Sequence, residues 1–293
     1  MGKIYKKITK AVIPVAGLGT RFFPATKAVA KEMLPIVDKP CIQYLVEECV
    51  KSGIKEIVFV ISKEKPSIKE HFQINAKLEK LLKEKNKKAD LKTLKELDKL
   101  AKFHYVFQDK PLGDGHAILC AKKLVKNEPF AVLFGDDIWD SKTPPILQLI
   151  QQYNKYHSPI LALEKVPKAD TKKYGIVDPK SKNGRASELK NLVEKPEPKK
   201  SPSDLAITGK YIITPELLKA LEQATSATAD KELRLIDGMR KFIKTQPIYG
   251  YEIEGTRFDT GDKLGYLKAV THFALKNPQL GKDFRKYLKS LDL

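Results

Sequence analysis

A glycine-rich loop followed by two cations is the segment of the sequence best suited to chemistry. It reads VAGLGTRFFPATKAVAKEMLP from Val15 to Pro35 and follows a short apolar run. Glycines let backbone N–H groups approach phosphate oxygens without obstruction by side chains. Arg21 can grip a triphosphate with two hydrogen bonds, and Lys31 can neutralise charge on a reacting phosphoryl group. The loop lacks the third glycine of a dinucleotide fingerprint and the GK[ST] ending of a P-loop, so it predicts a nucleotide site of another kind.

Taken one at a time, these features are also typical of a tight turn and a solvated lysine. Taken together, they resemble the signature of the sugar nucleotidyltransferases, most closely that of the bacterial UTP–glucose-1-phosphate uridylyltransferases. In that family an apolar strand precedes A-G-x-G-T-R-F-x-P-A-T-K, then K-E-M-L-P and V-D-K-P follow; residues 16–27 and 31–40 match almost without a break. The thymidylyltransferase relatives usually carry G-G-x-G-T-R-L and S-K-Q-L-L-P. Four positions therefore favour the uridylyl branch: Ala16, Phe22, Glu32 and Met33.

The resemblance extends to about residue 270 and implies roles for the loop residues. Arg21 is expected to stabilise the departing pyrophosphate and Lys31 the reacting phosphoryl group, which makes both residues catalytic. The other substrate contacts implied for the loop are made by Ala16, Gly17, Gly19, Thr20 and Glu32.

A glutamine and a nearby glycine follow the apolar run FHYVF and are candidates for binding the base. The Gln108 side chain offers both a donor and an acceptor, which suits the imide edge of uracil. Similar enzymes contact the base through the matching glutamine and glycine, so the resemblance gives this role to Gln108 and Gly113. Asp114 differs from the residue that many family members have at this position, and it is given no role. A plain turn between a strand and a helix would describe the same residues.

Two acids in different halves of the chain are candidate ligands for Mg²⁺. Asp136 follows the apolar run FAVLF, at the carboxyl end of a predicted strand, where open α/β sheets bind ligands. Carboxylate oxygens suit a hard cation. The resemblance assigns metal binding to Asp136 and, in the later segment RFDTG, to Asp259, so that one acid from each half grips one ion. Asp259 could instead cap the helix that follows it. Gly135 stands where many uridylyltransferases have proline.

The segment V-E-K-P in the second half is expected to face the sugar phosphate. By resemblance, Glu194 accepts hydrogen bonds from sugar hydroxyls and Lys195 pairs with the phosphate, which makes Lys195 the third catalytic residue. The turn at Tyr174 and Gly175 resembles the one whose backbone contacts the sugar. The triplet EKP alone is too common to indicate a function, and its position after this turn carries the interpretation.

Apolar runs and helical stripes indicate which elements position these residues. Residues 10–15 and 56–61 read as buried strands, and apolar residues at i, i+3, i+4, i+7 and i+8 from Ile42 read as a helix between them. Further strands are predicted at 103–107, 130–134, 159–164, 189–193, 205–214 and finally 249–254. This alternation predicts an α/β fold with a Rossmann-like, mostly parallel but mixed central sheet flanked by helices. The resemblance adds that the fold is of the nucleotide-diphospho-sugar transferase type.

The chain is read as one domain with two helical additions. Residues 1–276 are predicted to form a single nucleotidyltransferase domain, with a nucleotide-binding half at about 8–165 and a sugar-phosphate-binding half at about 166–270. Leucines at helical spacing in the Lys-rich segment 77–102 predict an inserted helical pair. Residues 277–293 are expected to form a helical C-terminal extension. Family members are commonly dimers or tetramers through such helices, so we expect a homo-oligomer.

The formal net charge of +19 over 293 residues leaves several classes of partner open. The lysines of residues 77–102 alternate with acids, and the segment has no aromatic residue or nucleic-acid motif, so we expect no nucleic-acid partner. No stretch approaches the roughly 20 apolar residues of a membrane span, and the N-terminus lacks the apolar segment of a signal peptide. Three cysteines without a CxxC pair favour a reducing compartment. We therefore expect a cytoplasmic protein without a membrane partner.

These observations predict an enzyme that joins UTP and α-D-glucose 1-phosphate into UDP-glucose and pyrophosphate with the help of Mg²⁺. The attacking sugar phosphate is already ionised, so alignment and charge neutralisation suffice for catalysis. A thymidylyltransferase or another sugar-1-phosphate nucleotidyltransferase is the nearest alternative, because few contacts tune the base and sugar pockets. A nucleic-acid-binding protein is disfavoured. So is a catalytically inactive relative, since every matched charged position keeps its chemistry.

Overall fold

The apolar runs of the sequence form a nine-stranded mixed sheet in the computed structural model, which describes residues 6–226 and 231–292. The strands of the described residues are β1 (Lys10–Pro14), β2 (Pro35–Ile36), β3 (Lys39–Pro40), β4 (Glu56–Ile61), β5 (Lys102–Phe107), β6 (Phe130–Leu133), β7 (Asp137–Asp140), β8 (Ile160–Lys165), β9 (Gly175–Asn183), β10 (Ala186–Glu194), β11 (Leu205–Ile213), β12 (Tyr249–Glu252) and β13 (Thr256–Asp259).

Helices connect most of these strands and cover the sheet. Those of the described residues are α1 (Cys41–Lys51), α2 (Ser67–Phe72), α3 (Ala76–Glu84), α4 (Lys88–Leu97), α5 (Asp114–Cys120), α6 (Lys122–Val125), α7 (Pro145–Tyr156), α8 (Pro215–Glu222), α9 (Leu235–Phe242), α10 (Lys263–Lys276) and α11 (Gly281–Lys289). No helix in the two described stretches is both long and apolar enough to span a bilayer.

The strand order of the sheet is β5-β4-β1-β6-β11-β8-β12-β10-β9. The four strands from the first part of the chain, β5, β4, β1 and β6, are parallel. β11 is antiparallel to β6 and β8, and β10 is antiparallel to β12 and β9. The sheet is mixed, as predicted, but its parallel pairs are confined to the first four strands and to β8 with β12. Parallel strands need crossover helices, and the second half of the chain replaces several of these with direct antiparallel returns.

A second, small sheet was missed by the sequence analysis. The strand predicted at 249–254 ends at Glu252, and it is not the last strand, because β13 follows it. β13 pairs antiparallel with β7 outside the large sheet. This pair joins the two halves of the chain and matters for the site below.

Side chains on the two faces of the central strands build two apolar layers. Val12 and Val132 pack with side chains of α5, α8 and α9 on one face, and Ala11 and Ile13 pack with α1 and α7 on the other. All four residues are fully buried. Since helices cover both faces, ligands approach the sheet at the ends of its strands.

The Lys-rich segment forms the helices α3 and α4. The chain changes direction at Asn86, which has a positive φ of 52°. Neither helix contributes a buried side chain. Lysines and acids pair along the exposed surface, as between Lys83 and Glu79 at 2.8 Å. Pairs of this kind keep a helix solvated and add little to stability.

Candidate active site

Two neighbouring parallel strands, β1 and β6, end at the same edge of the sheet and position the main parts of the site. The glycine-rich loop follows β1, and residues 134–136 follow β6. Two cavities open at this edge: a nucleotide-side cavity of about 460 Å³ and a sugar-side cavity of about 300 Å³. Both are lined by Asp114, Phe134 and Asp136. A ligand with two parts can therefore occupy both cavities at once.

The glycine-rich loop lines the nucleotide-side cavity, and two side chains hold its backbone in place. Gly19 has a positive φ of 72°, which favours glycine. The Thr26 hydroxyl donates to the Gly19 carbonyl at 2.7 Å, and Lys65 Nζ donates to the Leu18 carbonyl at 2.6 Å. The predicted contact residues that line this cavity are Ala16, Gly17, Gly19, Thr20, Lys31 and Glu32.

Lys31 forms an ion pair with Asp136 on the wall of the nucleotide-side cavity. The two side chains are 22% and 24% exposed. Burial alone would lower the pKa of the Lys31 ammonium, but the carboxylates of Asp136 and Glu32 raise it above its ordinary value. Burial would raise the pKa of Asp136, and Lys31 holds it below its usual range. Both groups therefore stay charged at neutral pH, with the ammonium on the wall of the cavity.

Glu32 carries a buried carboxyl group beneath the same cavity. Its side chain is 2% exposed, and its Oε2 atom has no hydrogen-bond partner among the described residues. Burial raises the pKa of Glu32 to about 7. A Cβ atom on Gly135 would lie 2.6 Å from Glu32 Cγ, so the glycine at 135 leaves room for this carboxyl group. A buried oxygen without a partner is costly, and a donor from a ligand would satisfy it.

Asp259 comes close to Asp136 because β7 and β13 pair with Asp137 opposite Asp259. The N–H and hydroxyl of Thr260 donate to the Asp136 carbonyl at 2.8 and 3.0 Å. A Cβ atom on Gly261 would lie 3.0 Å from Asp259 Oδ1 and would overlap Asp136 Oδ2. Glycine at 261 thus keeps the space between the two carboxylates open. Burial and the charge of Asp136 raise the pKa of Asp259.

This pair of carboxylates fits a hard divalent cation. Two neighbouring carboxylates disfavour each other's ionised form, and a cation between them removes that penalty. Within residues 6–226 and 231–292, no group of three or more His, Cys, Asp and Glu side chains is arranged to hold a metal ion. A cation held by this pair alone would need further ligands, and phosphate oxygens and water are oxygen donors that suit a hard cation.

The candidate base-binding residues, Gln108 and Gly113, also line the nucleotide-side cavity. Gln108 Nε2 donates to the Gly113 carbonyl at 3.0 Å, which orients the side-chain amide. Gly113 has a positive φ of 102°, and a Cβ atom there would overlap the Leu233 carbonyl. Asp114, to which the sequence analysis gave no role, accepts a hydrogen bond from the Leu235 N–H at 2.7 Å. Burial raises the pKa of Asp114 to about 6.

The structure places the predicted sugar-side residues in two groups. Gly175 and Glu194 line the sugar-side cavity and are close neighbours, since a Cβ on Gly175 would lie 3.3 Å from Glu194 Oε2. Arg21, predicted to bind the triphosphate and the departing pyrophosphate, lines this cavity and not the nucleotide-side cavity, and its Nη1 donates to the Gly261 carbonyl at 3.3 Å. Lys195 is not among the residues lining either cavity. Its side chain is 59% exposed and lies 3.7 Å from Glu194 Oε1.

Several charged residues of the site were missed by the sequence analysis. Arg257 lines the sugar-side cavity, donates to Asp137 Oδ1, pairs with Glu164 at 3.3 Å and lies over the Tyr174 ring at 5.5 Å. Its neighbours in R-F-D-T-G were recognised, but local sequence does not distinguish a buried arginine from a solvated one. Other missed residues lining this cavity are Asp137, Lys173, Arg234 and Tyr211.

The fold and the paired cavities define a class of nucleotide-handling transferase, and comparison with protein families agrees. The family model described as nucleotidyl transferase matches residues 10–275. The chain belongs to the nucleotidyl transferase family.

Named relatives narrow this class. The chain is 46% identical to the UTP–glucose-1-phosphate uridylyltransferase of Staphylococcus epidermidis over 98% of its own length and 100% of the relative. It is 45% identical to the enzyme of the same name from Bacillus subtilis over 98% of each chain. The resemblance predicted from the loop signature is thereby confirmed.

Solved structures agree with these relatives. A UTP-bound UGPase from Acinetobacter baumannii superposes with a TM-score of 0.91 at 37% identity, over 97% of this chain and 100% of that one. A UDP-glucose pyrophosphorylase complexed with UDP-glucose gives a TM-score of 0.84 at 36% identity, over 92% and 100%. The predicted fold class is confirmed.

Proposed function

We propose that the protein transfers a uridylyl group from UTP to α-D-glucose 1-phosphate. An oxygen of the sugar phosphate attacks the α-phosphorus of UTP, the bond from that phosphorus to the bridging oxygen of the β-phosphate breaks, and pyrophosphate leaves with the electron pair. The observation that supports this proposal most strongly is the pair of adjoining cavities with Asp136 on their shared wall and Lys31 beside it. One cavity accommodates the nucleotide and the other the sugar phosphate. The relatives named above carry the same activity in their names.

The cations of the site act by position and charge. Lys31 Nζ stabilises the negative charge that spreads over the oxygens of the α-phosphoryl group as the nucleophile arrives. Arg21 binds the departing pyrophosphate after exchanging its hydrogen bond to the Gly261 carbonyl for phosphate oxygens. Lys195, exposed beside Glu194, pairs with the sugar phosphate and aligns it for in-line attack.

Asp136 and Asp259 hold Mg²⁺ in this proposal. When bound there, the ion would supply positive charge that stabilises the phosphate groups during transfer. Removal of divalent cations with a chelator should abolish pyrophosphate release, and added Mg²⁺ should restore it. Undiminished turnover with excess chelator would contradict the assignment of a metal to these acids.

Selectivity for UTP is assigned to the nucleotide-side cavity. Gln108 offers its amide to the imide edge of the base beside Gly113. Glu32, which lines this cavity, is the further nucleotide contact implied by the family resemblance. On the sugar side, Glu194 and the Gly175 backbone bind glucose hydroxyls. A dTTP-dependent enzyme is the second candidate, because it would use the same chemistry with a differently tuned base pocket.

Pyrophosphate release from UTP and glucose 1-phosphate tests the proposed function. The Lys31→Ala and Asp136→Ala variants should each lose about 100-fold or more in rate, since the first removes the ammonium that stabilises the reacting phosphoryl group and the second removes a carboxylate proposed to hold the metal ion. Lys122→Ala is a matched control, because Lys122 forms a 2.6 Å ion pair with Glu222 that lies outside both cavities. Rates near wild type in both active-site variants would contradict these roles.

Assembly, compartment and domain division complete the proposal. The α10 and α11 helices expose apolar side chains, among them Leu264, Leu267 and Tyr287, which suit a contact between copies of the chain. We propose a dimer or tetramer with its contacts in residues 263–293, which comprise the end of the catalytic domain with its two halves and the C-terminal extension 277–293. A chain ending at Lys276 should sediment as an assembly with fewer copies than the full chain forms, and an unchanged number of copies would contradict a contact through residues 277–293. Three free cysteines favour the cytoplasm.

A further inference from the structure

A fully buried lysine contacts the backbone of the residue that follows Asp136. Lys210, on β11, has no exposed side-chain surface. Its Nζ lies 3.0 Å from Glu48 Oε2 and donates to the backbone carbonyl of Asp137 at 2.9 Å. Glu48, on α1, accepts the Ile146 N–H on its other oxygen at 2.9 Å. The lysine therefore connects a helix, a central strand and the backbone next to Asp136.

The segment from Phe134 to Asp137 is held from several directions. The Phe134 N–H donates to the Gly209 carbonyl at 2.7 Å. A Cβ on Gly209 would lie 3.0 Å from Phe134 Cβ and 3.1 Å from Asp137 Cγ, so β11 runs as close to this segment as glycine permits. Arg257 donates to Asp137 Oδ1, and Trp139 Nε1 donates to Asp137 Oδ2 at 3.1 Å. Lys210 adds its hydrogen bond to the Asp137 carbonyl.

A buried ion pair is a poor way to stabilise a fold. Its desolvation cancels much of its attraction, and an apolar replacement of both partners is often neutral or stabilising. Such a pair is therefore best explained by the position it imposes on a neighbour. Here the neighbour is the carbonyl of Asp137, one residue from Asp136 and opposite Asp259 in the β7–β13 pair.

We propose that Lys210 is a positioning residue for uridylyl transfer. Held by Glu48, it anchors the Asp137 carbonyl and thereby keeps the Asp136 carboxylate at its working distance from Asp259. Lys210 touches neither substrate nor the transferred group. The inference rests on the proposed function of the site. It adds that activity requires the buried Lys210–Glu48 pair as well as the two carboxylates.

Two variants separate positioning from stability. Lys210→Met leaves the Glu48 carboxyl buried without its partner and should lower both Tm and kcat. The double variant Glu48→Gln, Lys210→Met removes both charges and keeps an acceptor for the Ile146 N–H, so it should regain most of the lost Tm. It still lacks the donor to Asp137, so its kcat should remain about 10- to 100-fold below wild type, with KM for UTP within about twofold. The Mg²⁺ concentration for half-maximal rate should rise in both variants.

Lys10→Met is the matched control, because Lys10 is also nearly buried, at 10% exposure, and pairs with Glu128 at 2.7 Å away from both cavities. It should lower Tm without changing kcat or the Mg²⁺ requirement. Recovery of both Tm and kcat in the double variant would overturn the positioning role and leave Lys210 as a structural residue. The wild-type rate with UTP and glucose 1-phosphate, measured in the same series, tests the proposed function separately. If another substrate pair proves to be the active one, the same kcat ratios are measured with it.

Discussion

Substitution of Gly261 by alanine should disable the pair of acids with little effect on the rest of the fold. Gly261 lies between Asp136 and Asp259, and its own N–H donates to Asp259 Oδ1 at 2.9 Å. Its φ lies outside the left-handed region, so alanine can adopt the backbone conformation without strain. The added methyl group therefore acts by occupying space between the carboxylates.

The expected size of the effect follows from the contacts of the added Cβ. It would lie 3.1 Å from Asp136 Cγ, whereas ordinary contacts begin at 3.4 Å, and Asp136 Oδ2 would be nearer still. The carboxylate must recede by at least 0.3 Å at Cγ and by more at its oxygen. A misplacement of about 1 Å at a reacting centre costs roughly 100-fold in rate. We therefore expect kcat to fall about 30- to 100-fold, and the Mg²⁺ requirement to rise.

Pyrophosphate release at increasing Mg²⁺ concentration measures both effects. Gly281→Ala is the matched control. Gly281 is the first residue of α11, away from both cavities, and a Cβ there would overlap the carbonyl of Leu275 in α10. The control should lose stability and keep its kcat and its Mg²⁺ dependence. Wild-type kcat and an unchanged Mg²⁺ requirement in Gly261→Ala would refute the reasoning that both acids grip one ion across this glycine.

Two further predictions concern the nucleotide-side cavity. Burial raises the pKa of Glu32 from 4.5 to about 7. Between these pH values the folded chain therefore binds more protons than the unfolded chain. Its unfolding free energy falls as the pH rises through this range. Glu32→Gln removes this dependence, so the unfolding free energy of the variant should rise relative to wild type by up to roughly 3 kcal/mol between about pH 5 and about pH 8. Denaturant titrations in metal-free buffer measure this difference. A difference in unfolding free energy that does not change with pH would contradict the raised pKa of Glu32. Gln108→Ala should raise KM for UTP about tenfold through loss of a base contact, and an unchanged KM would remove Gln108 from the base site.

The local parts of the site could be predicted from sequence because each lies within one short segment. The glycine loop, its preceding strand and Lys31 are contiguous, and the signature around them specifies their chemistry. Asp136 was found because it directly follows an apolar run. For these residues, sequence order and spatial order coincide at the carboxyl end of a strand.

The remaining parts depend on contacts between distant segments. β7 and β13 are four residues each, and their pairing brings together residues 137–140 and 256–259, which no local pattern predicts. Lys210 and Glu48 are buried only because α1 packs near β11, and in sequence they read as solvated charges. The exposure of Lys195 likewise follows from its place after β10 and could not be read from the triplet EKP.

A substrate panel tests the central claim most directly. Pyrophosphate release by the wild-type chain is measured with UTP, dTTP, ATP, CTP and GTP, each combined with the 1-phosphates of glucose, galactose and N-acetylglucosamine. UTP with glucose 1-phosphate should give the highest kcat/KM. A higher value with dTTP or with another sugar phosphate would contradict the proposed function.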